Sequence, residues 1–409
     1  MGAELFLREL IKEFYRSTEI TTVPDIASRE FGIGSFGKKI SNRHLEFKNN
    51  SSLNFYLRQK SPFYISYSNA HYKFPSARPM EKKDLIGADI IYEFDADDIK
   101  TDCKIEHDSW KCSSCGAIGK GNIKECPECG SGVKVSEWVC SECIGETKRQ
   151  TIKLMKLLEN DFSFTDGISL NFSGSKGFHL HVRSESIQSL SKNARLELLD
   201  YITGTNINLT SLGFLSNQRK FLCPKKSNAK AWAKKILCSI EYLFDEGDAS
   251  KIAAMASRDK FSFSTNKAKK LLKEKSKIFK AMDVGVLLFI PKVSNEKFWS
   301  ALINSIIEDE LLMVDRQTSV DINKIIRVPN TIHGSTGLQA KEVSIEGIKK
   351  FDALKECVVM SSKELALLNV VAPKFYLNGE TFGPFNKEEV SLPTYAGFFL
   401  LARGNAELR

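Results

Sequence analysis

The sequence ADIIYEFDADD, residues 88–98, combines the pattern of a buried strand with a cluster of acidic side chains. Its apolar and β-branched residues lead us to interpret residues 87–97 as one strand, with the aromatic side chains directed into a core. Asp95 and Asp97 are two residues apart, so on a strand they project from the same face. Two carboxylates so placed repel each other unless a cation lies between them. A Mg²⁺ ion that also contacts substrate phosphates fits this arrangement, and an acidic strand end facing water is the alternative.

A third carboxylate is expected, because two-metal sites for phosphoryl transfer usually need three acidic groups. The segment VDRQTSVDINKIIRVPN, residues 314–330, offers two candidates. We favour Asp321 and regard Asp315 as its competitor. Asp98 lies on the other face of the strand or at its end, and we expect it to be solvated.

Two glycine-containing turns carry the residue types that bind a polyphosphate. ISLNFSGSKGFHLHV, residues 168–182, predicts two strands joined by a turn, and RVPNTIHGSTGL, residues 327–338, repeats the combination of glycines and basic side chains. Glycines let backbone N–H groups approach an anion, while hydroxyl and basic side chains add donors and charge. An ordinary hairpin turn and, for residue 43, a solvated loop are the alternatives. The candidate side chains are Ser173, Lys176, His179, Arg327, His333 and Arg43.

Seven of the ten cysteines fall between residues 103 and 143. Three C-x₂-C pairs and one C-x₃-H pair supply eight ligands, which is enough for two tetrahedral Zn²⁺ sites. Both sites lack an open position, so we expect them to be structural. An exchange of the middle cysteines between the sites stays open, and disulfides are disfavoured without a secretory signal. We assign Cys112, Cys115, Cys126 and Cys129 to a ribbon, and Cys103, His107, Cys140 and Cys143 to a second site at its base.

The composition excludes a disordered chain and a membrane-spanning one. The chain has 409 residues, 42% of them hydrophobic, and a net charge of +9, whereas disordered chains are poor in apolar residues. Apolar runs such as Val284–Ile290 are far shorter than the roughly 20 residues that span a bilayer. Residues 1–20 predict an amphipathic helix, and their first 17 residues lack the apolar core of a signal peptide. We therefore expect a cytoplasmic protein that does not enter membranes.

Positive charge is concentrated in two stretches, Gln218–Lys235 and Arg258–Lys280. The first has seven Lys and Arg residues and no acid, and the second has nine against two acids. A track for single-stranded nucleic acid and a solvated helix face both account for such stretches.

The order of elements predicts an α+β fold with a mixed core of β-sheets flanked by helices. Strands, then helices, then strands again do not follow a regular βαβ alternation, and neither a P-loop nor a dinucleotide-binding motif is present. We expect a zinc-binding insert and a helical insertion subdomain within this core. The predicted boundaries are 1–100, 149–184 and 314–409 for the catalytic core, 101–148 for the zinc insert and 185–313 for the largely helical subdomain.

In their order and spacing these motifs resemble the small catalytic subunit of the archaeal and eukaryotic DNA primases, in its archaeal form. The resemblance extends along nearly the whole chain. Ser175 stands where many members of that family carry a basic side chain. The matching stretches are REFGI (29–33), NRHLEF (42–47), YEFDADD (92–98), SGSKGFH (173–179), DINKIIRVPNTIHGSTGL (321–338) and residues 382–407.

The resemblance implies a nucleotidyltransferase that makes short RNA primers, with DNA primers as an open alternative, de novo on a single-stranded DNA template. It implies NTPs and dNTPs as substrates, a large-subunit partner and a place at the nucleoid. A non-catalytic zinc-ribbon nucleic-acid-binding protein, and a repair primase-polymerase without a large subunit, remain the rival interpretations.

The resemblance also implies roles for individual residues. Asp95, Asp97 and Asp321 would hold two Mg²⁺ or Mn²⁺ ions. A zinc knuckle beside the active site is a family feature, and the ribbon looks like an extra insertion into that knuckle. The positions that would bind the incoming triphosphate are Arg43, Ser173, Lys176, His179, Arg327 and His333.

Overall fold

The computed structural model describes residues 2–217, 220–258 and 261–409. They form two compact units. The first contains the residues up to Leu199 together with Met313–Arg409, and the second is Asp200–Leu312. The first unit is therefore assembled from two separate parts of the chain.

The first part of the chain mixes helices and strands irregularly, which confirms the predicted α+β class. Its helices are α1 (Ala3–Ser17), α2 (Asn50–Lys60), α3 (Lys104–His107), α4 (Ser141–Phe162), α5 (Glu185–Gln188) and α6 (Lys192–Ile202). Its strands are β1 (Phe31–Ser35), β2 (Lys38–Leu45), β3 (Tyr64–Ser68), β4 (Ala70–Tyr72), β5 (Leu85–Ala88), β6 (Ile90–Asp95), β7 (Ser109–Cys112), β8 (Ile118–Lys120), β9 (Val133–Ser136), β10 (Ile168–Phe172) and β11 (Gly177–Val182). Short 3-10 turns cover Ile26–Ser28 and Met80–Lys83.

The second unit is mostly helical. Its elements are β12 (Leu215–Asn217), β13 (Lys220–Leu222), a 3-10 turn at Lys226–Asn228, α7 (Ala231–Glu246), α8 (Ala249–Ala256), α9 (Thr265–Lys273), α10 (Lys275–Asp283), β14 (Val286–Leu287) and α11 (Glu296–Glu310). Its helices pack around an apolar core that contains the fully buried Trp299, and the three strands pair in the order β12–β13–β14.

The C-terminal part of the chain returns to the first unit. Its elements are α12 (Arg316–Val320), β15 (Ile325–Arg327), β16 (Glu342–Val343), α13 (Ala353–Glu356), β17 (Glu364–Ala372), β18 (Phe375–Leu377), β19 (Glu380–Phe382), β20 (Phe385–Pro393), α14 (Thr394–Ala402) and β21 (Glu407–Leu408).

Two four-stranded sheets organise the first unit, with orders β15–β3–β1–β2 and β16–β10–β11–β6. Every strand pair in both sheets is antiparallel. Each sheet thus contains one strand from the C-terminal part of the chain. Through these two strands, the motifs that precede the second unit in sequence share sheets with the segments that follow it. As expected, Tyr92 and Phe94 of β6 are buried in the core.

The prediction of one strand over residues 87–97 is wrong in two respects. The strand is interrupted at Asp89, so β5 and β6 belong to different sheets. The cause is a long-range ion pair, since the buried Asp89 carboxylate accepts a hydrogen bond from Arg29 at 2.7 Å and contacts His71 at 3.2 Å. At the other end, β6 stops at Asp95, and Asp97 lies in the turn that follows.

The amphipathic sequence TIKLMKLLENDF, residues 151–162, predicts a short helix, and α4 covers it but begins ten residues earlier, at Ser141. Its first turn follows Cys140 and contains Cys143, and these two cysteines interrupt the amphipathic pattern that predicts the helix. Helices α2 and α14 were not predicted at all. Helix α14 is apolar on all sides and almost entirely buried, and such a helix shows no periodicity that a sequence pattern can detect.

The lysine-rich stretches lie partly outside the described residues, since Gln218, Arg219, Asp259 and Lys260 are not among them. Several of the remaining lysines pair with acidic side chains of the same unit, and their role in binding nucleic acid stays a prediction. The pairs are Lys226–Glu241 at 2.7 Å, Lys235–Glu310 at 3.0 Å, Lys275–Asp245 at 2.6 Å and Lys277–Glu274 at 2.8 Å.

None of the helices in the described ranges combines the length and the apolar composition needed to cross a membrane.

Candidate active site and zinc centres

Strand β11 places the first basic turn directly beside the aspartate strand. In the antiparallel pairing of β11 with β6, Gly177 lies opposite Asp95 and His179 lies opposite Glu93. A Cβ atom added to Gly177 would lie 1.7 Å from the carbonyl oxygen of Phe94. Only glycine allows the two backbones to approach so closely. The pairing therefore holds the turn within one strand spacing of the acidic group.

Asp95 is partly buried, and one of its carboxylate oxygens is fully enclosed. Burial, with the nearby charges of Glu93 and Asp97, raises its pKa to about 6. Its buried Oδ1 atom has no hydrogen-bond partner among the described residues. A buried carboxylate oxygen that lacks a donor is suited to a cation, because a divalent ion would supply the missing positive charge.

Glu93 lies two residues before Asp95 and is ionised by its partners. Burial opposes its ionisation, but His179 and Thr318 outweigh burial and lower its pKa to about 2. His179 Nε2 lies 3.4 Å from Glu93 Oε1, and Thr318 donates a 2.8 Å hydrogen bond to Oε2. Glu93 was missed in the sequence, although the period of two that relates Asp95 to Asp97 also includes position 93.

The fold brings Asp315, rather than Asp321, beside β6. The backbone N–H of Asp315 donates a 3.1 Å hydrogen bond to the Glu93 carbonyl. Thr318 Oγ1 lies 2.6 Å from Asp315 Oδ2, in addition to its contact with Glu93. The charges of Asp315, Asp97 and Glu93 add to burial in raising the pKa of Asp98.

Asp321 lies at the opposite end of α12 and faces a different environment. It is exposed, and its Oδ1 accepts a 2.9 Å hydrogen bond from the backbone N–H of Asn323. Burial raises the pKa of Tyr72, and the negative charges of Glu30 and Asp321 add to this effect. Helix α12 separates the two aspartates, so of the two candidates for the third carboxylate Asp315 is the one that lies beside β6.

The first basic turn is organised around Ser173. Its Oγ accepts hydrogen bonds from the backbone N–H groups of Ser175 at 3.3 Å and of Lys176 and Gly177 at 3.2 Å. The Lys176 ammonium forms an ion pair with Asp97. The turn is therefore tied both to its own hydroxyl and to the acidic turn after β6.

The second basic turn packs against the first. The Thr336 hydroxyl donates a 2.6 Å hydrogen bond to the Gly174 carbonyl. A Cβ atom on Gly174 would lie 2.8 Å from the Cβ of His333, and Gly174 has a φ of +82°. Burial holds the pKa of His333 well below its usual value, and the charges of Arg327, His179 and Lys176 add to this effect. His333 is therefore neutral at the centre of the basic group.

Arg327, on β15, is a buried cation without a counter-charge. Its guanidinium lies 4.8 Å from the centroid of the Tyr64 ring. The Nε and Nη1 atoms are buried and have no hydrogen-bond partner in the part of the chain that the structure describes. Burial lowers its pKa to about 10. Such a group is stabilised when an anion binds to it.

Arg43 is placed apart from these turns by its own network. It forms two hydrogen bonds to the buried Glu30 carboxylate, at 3.0 and 3.1 Å, and donates a third to the Asn323 carbonyl at 3.1 Å. Arg43 therefore lies near Asp321, at the far end of α12 from Asp315.

The cysteines and His107 gather in the predicted combination. Two groups of four ligand atoms lie within 4.8 Å of one another, and they are the only groups of three or more among the described residues. Thiolate and imidazole donors in sets of four fit tetrahedral Zn²⁺. The first group, which we call the zinc clasp, is Cys103, His107, Cys140 and Cys143, and the second, which we call the zinc ribbon, is Cys112, Cys115, Cys126 and Cys129.

A small sheet carries the zinc ribbon outward from the clasp. Strands β8, β7 and β9 pair in that order, with Trp110 and Cys112 of β7 on the buried face. His107 and Cys103 of the clasp precede this sheet, and its remaining ligands follow it. The clasp therefore closes the base of the insert.

We expect two zinc ions per chain. Cys126→Ser should remove one ion and make residues 110–135 sensitive to protease, because structural Zn²⁺ contributes about 10–16 kcal/mol of apparent binding energy in small zinc domains. Elemental analysis and limited proteolysis provide the measurement. Cys238→Ser, at an exposed cysteine of α7, is the matched control and should keep both ions. Retention of both ions by Cys126→Ser would contradict the assignment of Cys126 as a zinc ligand.

The raised pKa of Asp95 predicts a pH-dependent gain in stability for Asp95→Asn. The folded protein binds this proton more tightly than the unfolded chain, whose carboxyl has a pKa of 3.8. The ionised group thus costs stability, fully above about pH 6 and not at all below pH 3.8. Without added divalent ions, Asp95→Asn should raise Tm on the order of 5 °C at pH 8 and leave it unchanged near pH 4. Equal shifts in Tm at both pH values would argue against a raised pKa for Asp95.

Comparison with known proteins identifies the family. The family model described as DNA primase small subunit matches residues 135–345, which is more than half of the chain. The chain belongs to the DNA primase small subunit family. Its relatives include the DNA primase small subunit PriS of Cenarchaeum symbiosum, 29% identical over 98% of both chains. The PriS of Methanothrix thermoacetophila is 28% identical over 98% of both chains, and that of Nitrosopumilus maritimus is 29% identical over 97% of this chain and 96% of its own.

The matched region begins inside the zinc insert and ends just after the second basic turn. It includes β10, β11, α12 and β15, and the relatives extend the similarity over β6 and the N-terminal strands. The resemblance inferred from the motifs is therefore confirmed, as is the mixed α+β core.

Proposed function

We propose that this chain is the catalytic subunit of a DNA primase and makes short primers de novo on single-stranded DNA. Membership of the primase family supports this function. The observation that carries the mechanism is the meeting of Asp95, with its unpartnered carboxylate oxygen, and two turns of basic side chains on one edge of the β6–β11 pair. Negative groups for cations and positive groups for a polyphosphate are both required for nucleotidyl transfer.

We assign the cation ligands to Asp95, Asp97 and Asp315. Bound Mg²⁺ or Mn²⁺ would neutralise polyphosphate charge and activate the 3′-hydroxyl of the growing strand. The free carboxylate oxygen of Asp95 supports this assignment, and so does the shared position of Asp315 and Glu93 around Thr318. Asp97 forms an ion pair with Lys176.

The proposed triphosphate ligands of this chain are mainly those of the two turns. Arg327 would donate its two unpartnered N–H groups to phosphate oxygens, which removes the energetic penalty of its burial. Neutral His333 can donate one hydrogen bond without adding charge. Lys176 and His179 would add charge and a further donor, Ser173 would hold the turn, and Arg43 would contribute from its site beside Glu30.

The other partners and parts of the chain follow from this function. We propose a large primase subunit and single-stranded DNA as macromolecular partners, with NTPs and dNTPs as substrates. The zinc insert of residues 101–148 and the helical residues 185–313 would lie outside the catalytic core formed by residues 1–100, 149–184 and 314–409.

Primer synthesis by the full chain on single-stranded DNA tests the proposal directly. NTPs and dNTPs should each be compared with Mg²⁺, with Mn²⁺ and with neither ion. We expect products only with a divalent ion, and none from Asp95→Ala or Asp97→Ala despite an unchanged circular dichroism spectrum. Undiminished synthesis by both variants would refute the assignment of these carboxylates.

A further inference from the structure

Lys176 is shared between two carboxylates, only one of which belongs to the proposed metal site. Its ammonium forms an ion pair with Asp97, and it lies 3.2 Å from Glu137 Oε2. All three side chains are about 30% exposed, at 29%, 29% and 31%. Burial opposes the charge of Lys176, but both carboxylates outweigh it and raise its pKa. Glu137 belongs to the segment that leads from β9 to Cys140, at the end of the zinc insert.

Glu137 is held in place through its backbone. Its carbonyl oxygen accepts a 2.7 Å hydrogen bond from Arg403 Nη2. The Arg403 guanidinium lies 4.6 Å from the Trp138 ring centroid and 5.2 Å from that of Phe399. Stacking of this kind fixes a guanidinium plane between two rings. The end of α14 therefore fixes the backbone of residues 137 and 138.

The next link in the same direction reaches a zinc ligand. The backbone N–H of Trp138 donates a 2.9 Å hydrogen bond to Asp108 Oδ1, and Asp108 is only 1% exposed. The same oxygen lies 2.9 Å from His107 Nδ1. His107 Nε2 lies 3.3 Å from Cys143 Sγ, so this nitrogen faces the clasp. A carboxylate on the far nitrogen of a zinc-binding histidine sets its tautomer and orientation.

These contacts form a continuous path from the clasp to a proposed metal ligand: His107, Asp108, Trp138, Glu137, Lys176 and Asp97. A cation bound to Asp97 would take the place of the Lys176 ammonium there. Lysine is flexible and strongly hydrated, so without a second partner its ammonium would move into solvent. Glu137 is the remaining partner within hydrogen-bond distance.

We propose that Glu137 is a positioning residue, which keeps Lys176 in the site for the triphosphate once Asp97 binds a cation. We further propose that the zinc clasp, through Asp108, holds Glu137 at the position where it can do so. This inference rests on the proposed function, since it takes Lys176 as a triphosphate ligand. It gives the zinc site a role in substrate binding besides local stability.

A double-mutant cycle tests the first step. The dissociation constant of a non-hydrolysable nucleoside triphosphate is measured by calorimetry, with Mg²⁺, for the full chain and for Glu137→Gln, Lys176→Met and the double variant. We expect Glu137→Gln to weaken binding about three- to tenfold, and to have no further effect in the Lys176→Met background. Glu128→Gln, at an exposed position of the ribbon, is the control and should bind as the parent does.

The outcomes separate this inference from the function on which it rests. If Lys176→Met weakens binding but Glu137→Gln does not, or if the two effects add, the positioning role is overturned and the proposed function stands. If Lys176→Met does not weaken binding, the triphosphate assignment of Lys176 fails first.

The zinc link is tested with Asp108→Ala, which removes the oxygen that contacts the Trp138 N–H and His107 Nδ1, and zinc content is measured alongside binding. We expect Asp108→Ala to keep its zinc and to weaken triphosphate binding, with no further weakening when it is combined with Glu137→Gln. Full nucleotide affinity in Asp108→Ala would overturn the link.

Discussion

Replacement of Asp315 by Asn should reduce primer synthesis about 10²- to 10³-fold, because a metal ion that stabilises charge in the transition state contributes several kcal/mol. Asp321→Asn should leave the rate within about a factor of two, since that side chain faces Asn323 at the other end of α12. Steady-state incorporation of labelled nucleotide at saturating Mg²⁺ provides the measurement.

The asparagine variants are chosen to leave the fold unchanged. The Asp315 side chain caps α12 by accepting hydrogen bonds from the N–H groups of Gln317 and Thr318, and asparagine caps helices about as well. The Asp321 side chain accepts one backbone hydrogen bond, which asparagine also preserves. A larger loss from Asp321→Asn than from Asp315→Asn would make Asp321 the third cation ligand instead.

Arg327→Met should weaken triphosphate binding by about 10²-fold or more, because each hydrogen bond to a charged group contributes about 1.5–3 kcal/mol and two donors are lost. In contrast to most core substitutions, it should leave Tm unchanged or raise it in the absence of nucleotide. The folded protein already carries the penalty of a buried cation without a counter-charge, and methionine removes that charge at similar volume. Calorimetric titration and thermal denaturation measure the two effects.

Arg195→Met is the matched control for a buried arginine that is fully bonded. Its guanidinium donates to the carbonyls of Leu190 at 3.0 Å, Asp89 at 2.9 Å and Ala88 at 2.5 Å. Its removal leaves buried carbonyls unsatisfied, so Tm should fall. If Arg327→Met lowers Tm as much as Arg195→Met, Arg327 has a structural role rather than a binding role.

The local patterns were sufficient wherever the cause of a structure is itself local. The hairpin of β10 and β11 and helix α1 depend on spacings of a few residues, and both are found as predicted. Each C-x₂-C pair is local in the same way, but only the fold brings Cys103 and His107 to Cys140 and Cys143. The break at Asp89 depends on Arg29 and His71, which lie far away in sequence and carry no signal near residue 89. Interactions of this kind override strand propensity and cannot be read from a pattern.

The third carboxylate shows the same limit within the site. Asp315 and Asp321 are both acidic residues in the same short segment, and only the packing of α12 on β6 distinguishes them. Glu93 shares the strand period of two with Asp95, but a lone glutamate before a D-x-D pair does not belong to a recognisable motif. Glu137 gave no signal, since its partner Lys176 lies in another turn, far away in sequence.

The clasp and the Asp108–Trp138 hydrogen bond join the two ends of the zinc insert at its base. This closure holds the two ends whatever segment lies between them. The entropic cost of closing a loop grows only slowly with its length, so a longer segment would add little to that cost. The clasp and this hydrogen bond therefore hold the base of the insert, and residues 110–135 beyond the base can be lengthened, shortened or exchanged. A protein engineer could replace the ribbon by a short turn, or graft a new binding module there, without displacing the carboxylates.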